Sequence, residues 1–349
     1  MRRQSQCDGG VVVAGFQNSH VHFTADEFAN ARHASTAALD TALTRMLTRY
    51  GYTTVVDLAS DRDNTLAIRD RIEKGSVRGP RILTAGLSLF PPNGLPVYLD
   101  HMPKALLDKF PQPASEAAAR EDVRKNFDAG ADVVKLFIAT PQGDSTVKRI
   151  SADVARAAVN EAHARGKLAV AHPTDIEGIK DALNAGVDIL AHPPLGAPIP
   201  WPDSLLKQMR DSGMSMMSTL YLLQLELDKQ RVPADIATRL VNESAAGLGR
   251  FSALGGQVIF GTDVGYTTDY DPTREYELMT QAGLTPMQIL ASLTTTPASL
   301  WREQDRRGRV ASGMDADIVV LSADPAEAPR NFAVIRCVIR GGEVIYSTP

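Results

Sequence analysis

Cysteine is almost missing from this 349-residue chain, which holds only Cys7 and Cys337. Two thiols so far apart in sequence make neither a disulfide framework nor a cysteine zinc cage, and their scarcity favours a reducing, cytoplasmic setting. An excess of positive charge is lacking too, the formal net charge being -4. Nucleic-acid binding therefore has no electrostatic basis. No run approaches the ~18 apolar residues of a membrane-crossing helix. The basic start Met1-Arg2-Arg3 leads only into a short apolar stretch ending at Gly15-Phe16, which makes a poor export signal. Long-period repeats and low-complexity linkers are absent as well. What remains is a chain with 44% hydrophobic and 22% charged residues, a globular composition able to fill a sizeable core. Its length suits two average domains or one large α/β barrel.

Eight short β-rich runs choose between these. They lie at 11–16 (continuing to His22), 53–57, 81–86, 132–138, 167–171, 187–191, 214–220 and 257–261. Each is followed by a segment of helical character, as at 36–49 and 115–128. Thr174-Asp175-Ile176-Glu177 and Thr285-Pro286-Met287-Gln288 both have the capping-box form of a helix start. Continuous apolar runs alternating with helices imply a parallel sheet covered on both faces, and eight such units close a barrel. The expectation is a (β/α)8 TIM-like barrel over residues 11–305. From about residue 306 the pattern changes to short strands broken by Gly and Asp turns, so 306–349, with residues 1–10, are expected to form a small β appendage. The proline-rich stretch 91–113 is too long for a tight connection and is expected to act as a lid or substrate wall, or else as a surface excursion.

Functional groups of such a barrel belong at the C-terminal ends of its strands. The polar residues there are His20 and His22 on the first run, Lys135 within the fourth, His172 and His192 ending the fifth and sixth, and Asp263 ending the eighth. His20 and His22, two apart on a strand, direct both imidazoles to one face, where they can share a metal ion. Lys135 sits inside Val133-Val134-Lys135-Leu136-Phe137, where burial favours the neutral amine. A neutral amine can add carbon dioxide and become an anionic carbamate able to bridge two divalent ions. Proline after His172 and after His192 keeps both at strand termini. Each residue also has a plain structural reading: a snorkelling lysine, core histidines, a turn aspartate. Those readings give no reason for all six to fall at corresponding strand ends.

The order His-x-His, Lys, His, His, Asp resembles the amidohydrolase superfamily, in its binuclear-metal branch with a carboxylated lysine. Gly51-Tyr52-Thr53-Thr54-Val55-Val56-Asp57, Gly79-Pro80-Arg81-Ile82, Ala185-Gly186-Val187-Asp188 and Gly313-Met314-Asp315-Ala316-Asp317-Ile318 are similar to the imidazolonepropionase-related group, which includes metallo-dipeptidases. The resemblance implies two divalent ions, zinc first among them. His20, His22 and Asp263 would hold the more buried ion and His172 and His192 the other, with carboxylated Lys135 and a hydroxide bridging. It implies attack of that hydroxide on an amide or peptide-like C–N bond, with Asp263 as general base and acid.

Members of the superfamily usually carry several β-sandwich strands before His-x-His, and only about ten residues precede Val11 here. Two expectations follow: either the small β-sandwich appendage is made from C-terminal strands alone, or it is shortened because the natural beginning, with any export signal, is missing from this sequence. The competing activities are a lactonase or phosphotriesterase, which uses the same centre on esters, and a mononuclear deaminase, for which Asp175 stands three residues after His172. A pseudoenzyme scaffold is the non-catalytic alternative, but no ligand is missing. Tyr221, just past the seventh run, and His101 in the long loop are candidate substrate contacts. The expected partner is a small molecule, with no nucleic acid and no membrane; a homo-oligomer is compatible with the composition.

Overall fold

The computed structural model describes residues 7, 9–100, 102, 104–143, 146–194 and 200–348. Its strands are β1 (Val11–Ala14), β2 (Phe16–Val21), β3 (Tyr52–Asp57), β4 (Arg81–Thr84), β5 (Val134–Phe137), β6 (Ala139–Pro141) and β7 (Val147–Arg149), then β8 (Ala169–His172), β9 (Ile189–Leu190), β10 (Ser215–Met217), β11 (Gln257–Ile259), β12 (Ile318–Leu321), β13 (Ile335–Arg340) and β14 (Glu343–Ser347). The helices are α1 (Thr36–Met46), α2 (Arg62–Glu73), α3 (Lys104–Leu107), α4 (Glu116–Asp128), α5 (Ala152–Ala164) and α6 (Ile176–Ala185), then α7 (Asp203–Asp211), α8 (Leu220–Lys229), α9 (Ala234–Ala253), α10 (Thr273–Gln281), α11 (Pro286–Leu293) and α12 (Thr295–Leu300).

Strands β2, β3 and β4 run parallel in that order, and so do β5, β8, β9, β10 and β11. Backbone hydrogen bonds join the two groups on both sides. Leu89 N donates to Lys135 O at 2.9 Å and Phe137 N to Leu89 O at 2.8 Å, tying the exit of β4 to β5. Ser19 N donates to Phe260 O at 2.9 Å, Asp263 N to His20 O at 2.9 Å and His22 N to Val264 O at 2.8 Å, tying β2 to the exit of β11. Eight parallel strands thus form a ring, the expected (β/α)8 barrel. Because side chains alternate along a strand, the barrel has two apolar layers. Val56, Leu83, Val170, Ile189, Met217 and Ile259 fill a cluster of their own. A larger cluster, including Val55, Ile82, Val134, Ala171 and Met216, packs against the helices.

The first expected strand is in fact two. β1 pairs antiparallel with β12 in a four-stranded sheet ordered β1-β12-β13-β14, and β2 alone enters the barrel. The change of sheet falls at Gly15, where a Cβ would stand 2.2 Å from Thr53 Oγ1, so glycine permits the close crossing. A second correction concerns the cysteines. Separation in sequence set them apart, but β1 lies beside β12 and β12 beside β13, so the start of the chain reaches β13 and Cys7 forms a disulfide with Cys337. A third is local. Asp175, not Thr174, caps α6, accepting from Gly178 N at 2.8 Å, whereas Thr285 and Gln288 form the expected capping box. A helical turn at 97–99 and α3 lie within the long 91–113 connection, and β6 and β7 form a hairpin not foreseen in the sequence pattern.

Candidate active site

His20 lies near the end of β2 and His22 one residue beyond it; Lys135 is the second residue of β5 and His172 the last of β8. His192 follows β9, and Asp263 follows β11. All six side chains line one cavity of about 490 Å³. His20, His22, Lys135, His192 and Asp263 are buried, and His172 is nearly so. The imidazole of His20 lies 5.1 Å from that of His22 and 4.7 Å from that of His192, centre to centre, and His172 lies 4.9 Å from His192.

Asp263 Oδ1 stands 2.7 Å from His22 Nε2 and 3.5 Å from His20 Nε2, and Oδ2 stands 3.7 Å from His192 Nε2. One atom from each of His20, His22 and Asp263 falls within 4.8 Å of the others, a set able to hold a metal ion. Two ligands of one tetrahedral zinc stand roughly 3.4 Å apart, given bonds of 2.0–2.2 Å. Oδ1 of Asp263, the atom that faces Nε2 of both histidines, is buried without a hydrogen-bond partner. A buried polar atom left unpaired costs about 1–3 kcal/mol, so this oxygen fits a group that binds between the three side chains.

Electrostatics point the same way. Burial, followed by the charges of Lys135 and the neighbouring histidines, pushes the His20 imidazole well below its usual range. His192 is lowered well by burial and then by His172 and Lys135. Burial and then Lys135 bring His172 down to about 3. These rings are neutral at neutral pH, the form that donates a lone pair to a metal. Burial likewise lowers the Lys135 amine to about 7, with Asp263 opposing the shift. A large fraction of that amine is therefore uncharged near neutrality.

The backbone around the site is unusual. Thr174, Thr219 and Asp263, all just past strand ends, have positive φ angles of 58°, 37° and 63°. Such conformations persist only where surrounding structure enforces them. Thr219 puts its to use, its hydroxyl lying 3.1 Å from His192 Nδ1, which leaves Nε2 toward Asp263. Asp57, the last residue of β3, is a further functional residue beside the six. Its fully buried carboxylate accepts from Ser60, Thr65 and Thr84 and lies 3.9 Å from His22 Nδ1. The signal was available, since Asp57 ends an apolar run as the histidines do.

The other expectations divide. Leu99, Leu106 and Phe110 line the cavity, so the long connection forms part of its wall. Tyr221 points elsewhere: its hydroxyl donates to Asp269 at 2.7 Å, and it lines a separate small recess with Thr262, Val264 and Glu275. His101 lies outside the described residues. Asp175, besides capping α6, is paired with Arg149 at 2.6 Å. Among the described residues no helix is long and apolar enough to cross a membrane.

Over 345 aligned residues the chain is 27% identical to an uncharacterised protein of Mycobacterium tuberculosis, covering 92% of this chain and 82% of that one. It is 23% identical over 375 residues to ochratoxinase of Aspergillus niger, covering 96% of this chain and 75% of the relative. Similar solved structures include a Xaa-Pro dipeptidase with methionine in its active site, at TM-score 0.81 and 21% identity over 97% of this chain and 87% of that one. Ochratoxinase of A. niger superposes at TM-score 0.78 and 18% identity over 97% and 83% of the two chains. At these identities the structural likeness is one of fold. The family match is more direct: residues 11–344 fit the Amidohydrolase family, and the chain belongs to this family of hydrolases acting on carbon–nitrogen bonds.

Proposed function

We propose that this protein is a metal-dependent hydrolase of an amide or peptide-like bond in a small molecule. In this reading His20, His22 and Asp263 would hold one divalent ion and His172 and His192 a second, and Lys135, as its carbamate, would add the anionic donor. The observation that carries it is the convergence of these six side chains, from five strands, on one buried cavity floor. Zinc suits the nitrogen-rich donor set. When bound, the ions supply a nucleophile by lowering the pKa of water, and they polarise the scissile carbonyl.

The chain's own residues do the rest. The uncharged Lys135 amine would attack carbon dioxide, its nitrogen–carbon bond forming as one C=O π bond opens and its proton passing to solvent water, so that a neutral amine becomes an anion beside four histidines. Thr219 fixes the ring of His192 through Nδ1. Asp263 presents one carboxylate oxygen toward His20 and His22 and the other toward His192. From there it can take a proton from the attacking water and return it to the leaving nitrogen. The deaminase alternative needs a free acid after His172, and Asp175 is engaged by Arg149 and by the α6 N-terminus.

The test is a hydrolysis panel of dipeptides, N-acyl amino acids, cyclic amides and lactones on zinc-loaded protein supplied with bicarbonate, alongside metal analysis of protein purified without chelator. Turnover of an amide member with close to two ions per chain supports the reading. Turnover confined to lactones, or a chain without transition metal and indifferent to Lys135→Ala, rejects it.

A further inference from the structure

The floor of the cavity is polar, but much of its wall is not. Phe90 and Phe137 are stacked with centroids 4.3 Å apart and planes within 12°, and Phe110 meets Phe90 edge-on at 5.2 Å. Phe137 also stacks on His172 at 5.2 Å, so the aromatic wall begins beside the proposed ligands and not at the mouth. Leu99 and Leu106 from the long connection extend it, and Leu223 of α8 lines the same cavity. The rim charges nearby satisfy one another: Lys229 Nζ lies 3.5 Å from Glu226 Oε1 and 3.4 Å from the Tyr266 hydroxyl, which itself donates to Glu226 at 3.1 Å.

We infer that one of the two groups flanking the scissile bond is flat and apolar, an aromatic ring or a hydrocarbon of similar breadth, seated against Phe90, Phe110 and Phe137. The inference rests on the hydrolase reading above for the position of the bond. A polar or charged group at this wall would lose its hydration and find no partner. A ring loses nothing of that kind, and it gains both burial and offset or edge contacts with the three phenyl groups. Burial of a group the size of a phenyl is worth about ten- to a hundredfold in kcat/KM if the ring is held through the transition state.

The experiment compares N-acetylglycine, N-benzoylglycine and N-acetylphenylalanine on zinc-loaded protein, which places the ring on neither side, the acyl side or the amine side of the bond. At least one aromatic compound should exceed N-acetylglycine by about tenfold or more in kcat/KM. Phe110→Ala should shrink that ratio toward one, and Phe110→Tyr should keep most of it. Leu106→Asp, a change at a partly exposed position of α3, should lower it as well and guards against misfolding of the Phe110 variant. A second readout needs no turnover: saturation-transfer NMR with N-benzoylglycine and metal-free protein should show contact with the ring protons, weakened by Phe110→Ala. Ring contact without hydrolysis of any compound supports the apolar seat and rejects the hydrolase reading. Equal turnover of all three compounds, or an aromatic preference unmoved by both variants, overturns the inference and leaves the hydrolase reading standing.

Discussion

The Asp57 carboxylate stands 3.9 Å from Nδ1 of His22, on the side of the ring away from Asp263. Three hydroxyls hold it there, those of Ser60 at 2.5 Å, Thr65 at 2.9 Å and Thr84 at 3.0 Å, and Ser60 in turn accepts from Phe23 N. A carboxylate behind a ligating imidazole orients the ring and raises its basicity. Asp57→Asn should therefore weaken metal retention and activity by about 10–100-fold while leaving the circular dichroism spectrum intact. Dialysis against a graded series of chelator concentrations measures this; unchanged retention would show that Asp57 only stabilises the turn.

If Lys135 carries the proposed carbamate, Lys135→Ala removes an anion that no neighbour can replace. Activity should fall by more than roughly a hundredfold, beyond the loss expected from an outer partner of a ligand, and metal content should drop. Because the missing group is a carboxylate equivalent in a space the size of the lost side chain, millimolar acetate or propionate should restore part of the activity. Lys135→Arg, permanently cationic, should bind no metal and should not be rescued.

Glu275 gives a pH signature unrelated to the metal. Burial raises its pKa to about 7, against hydrogen bonds from Ser218 and from the backbone of Tyr221 and Leu220. A buried acid with a raised pKa keeps its proton in the fold after the unfolded chain has released it. Its contribution is therefore fully present below about pH 4.5, declines as pH rises, and is lost by about pH 7. Glu275→Gln should flatten this part of the profile, read as Tm at pH 5.0 and 7.5 with metal and buffer ionic strength held constant. A profile identical to that of the unaltered protein would assign the dependence to other groups.

The Cys7–Cys337 bond links residues 330 positions apart. Closing so long a loop restricts the unfolded chain, and its removal should cost about 2–4 kcal/mol. Cys337→Ser should lower Tm relative to the oxidised protein and leave no difference between oxidised and reduced samples. Non-reducing peptide mapping should find the linked pair, and free thiols after purification without reductant would contradict it.

Most of the barrel was legible because its strands are buried on both faces and so read as continuous apolar runs. Seven of the eight expected runs overlap β3, β4, β5, β8, β9, β10 and β11 closely. The six candidate ligands were legible because each interrupts or ends such a run. The split at Gly15 was hidden, since both halves of the stretch are apolar and only tertiary contact with Thr53 distinguishes them. The aromatic wall was hidden for another reason. Phe90, Phe110 and Phe137 belong to separate loops and a strand, and no local periodicity brings distant residues of irregular backbone together. Tyr221 shows the converse: adjacency to a strand end placed it near the site, yet its side chain bonds to Asp269 instead of lining the cavity.

The hydrogen bond from Asp263 N to His20 O closes the ring of strands at the place where the three most compact ligand atoms meet. The first and last staves of the barrel are therefore clasped where metal would sit, and an ion there would act as a rivet across the seam. Such a centre needs His20 and Asp263, from the two ends of the barrel segment, in place together, so an ion bound there would hold the ring shut, and saturation with metal would stabilise the whole barrel.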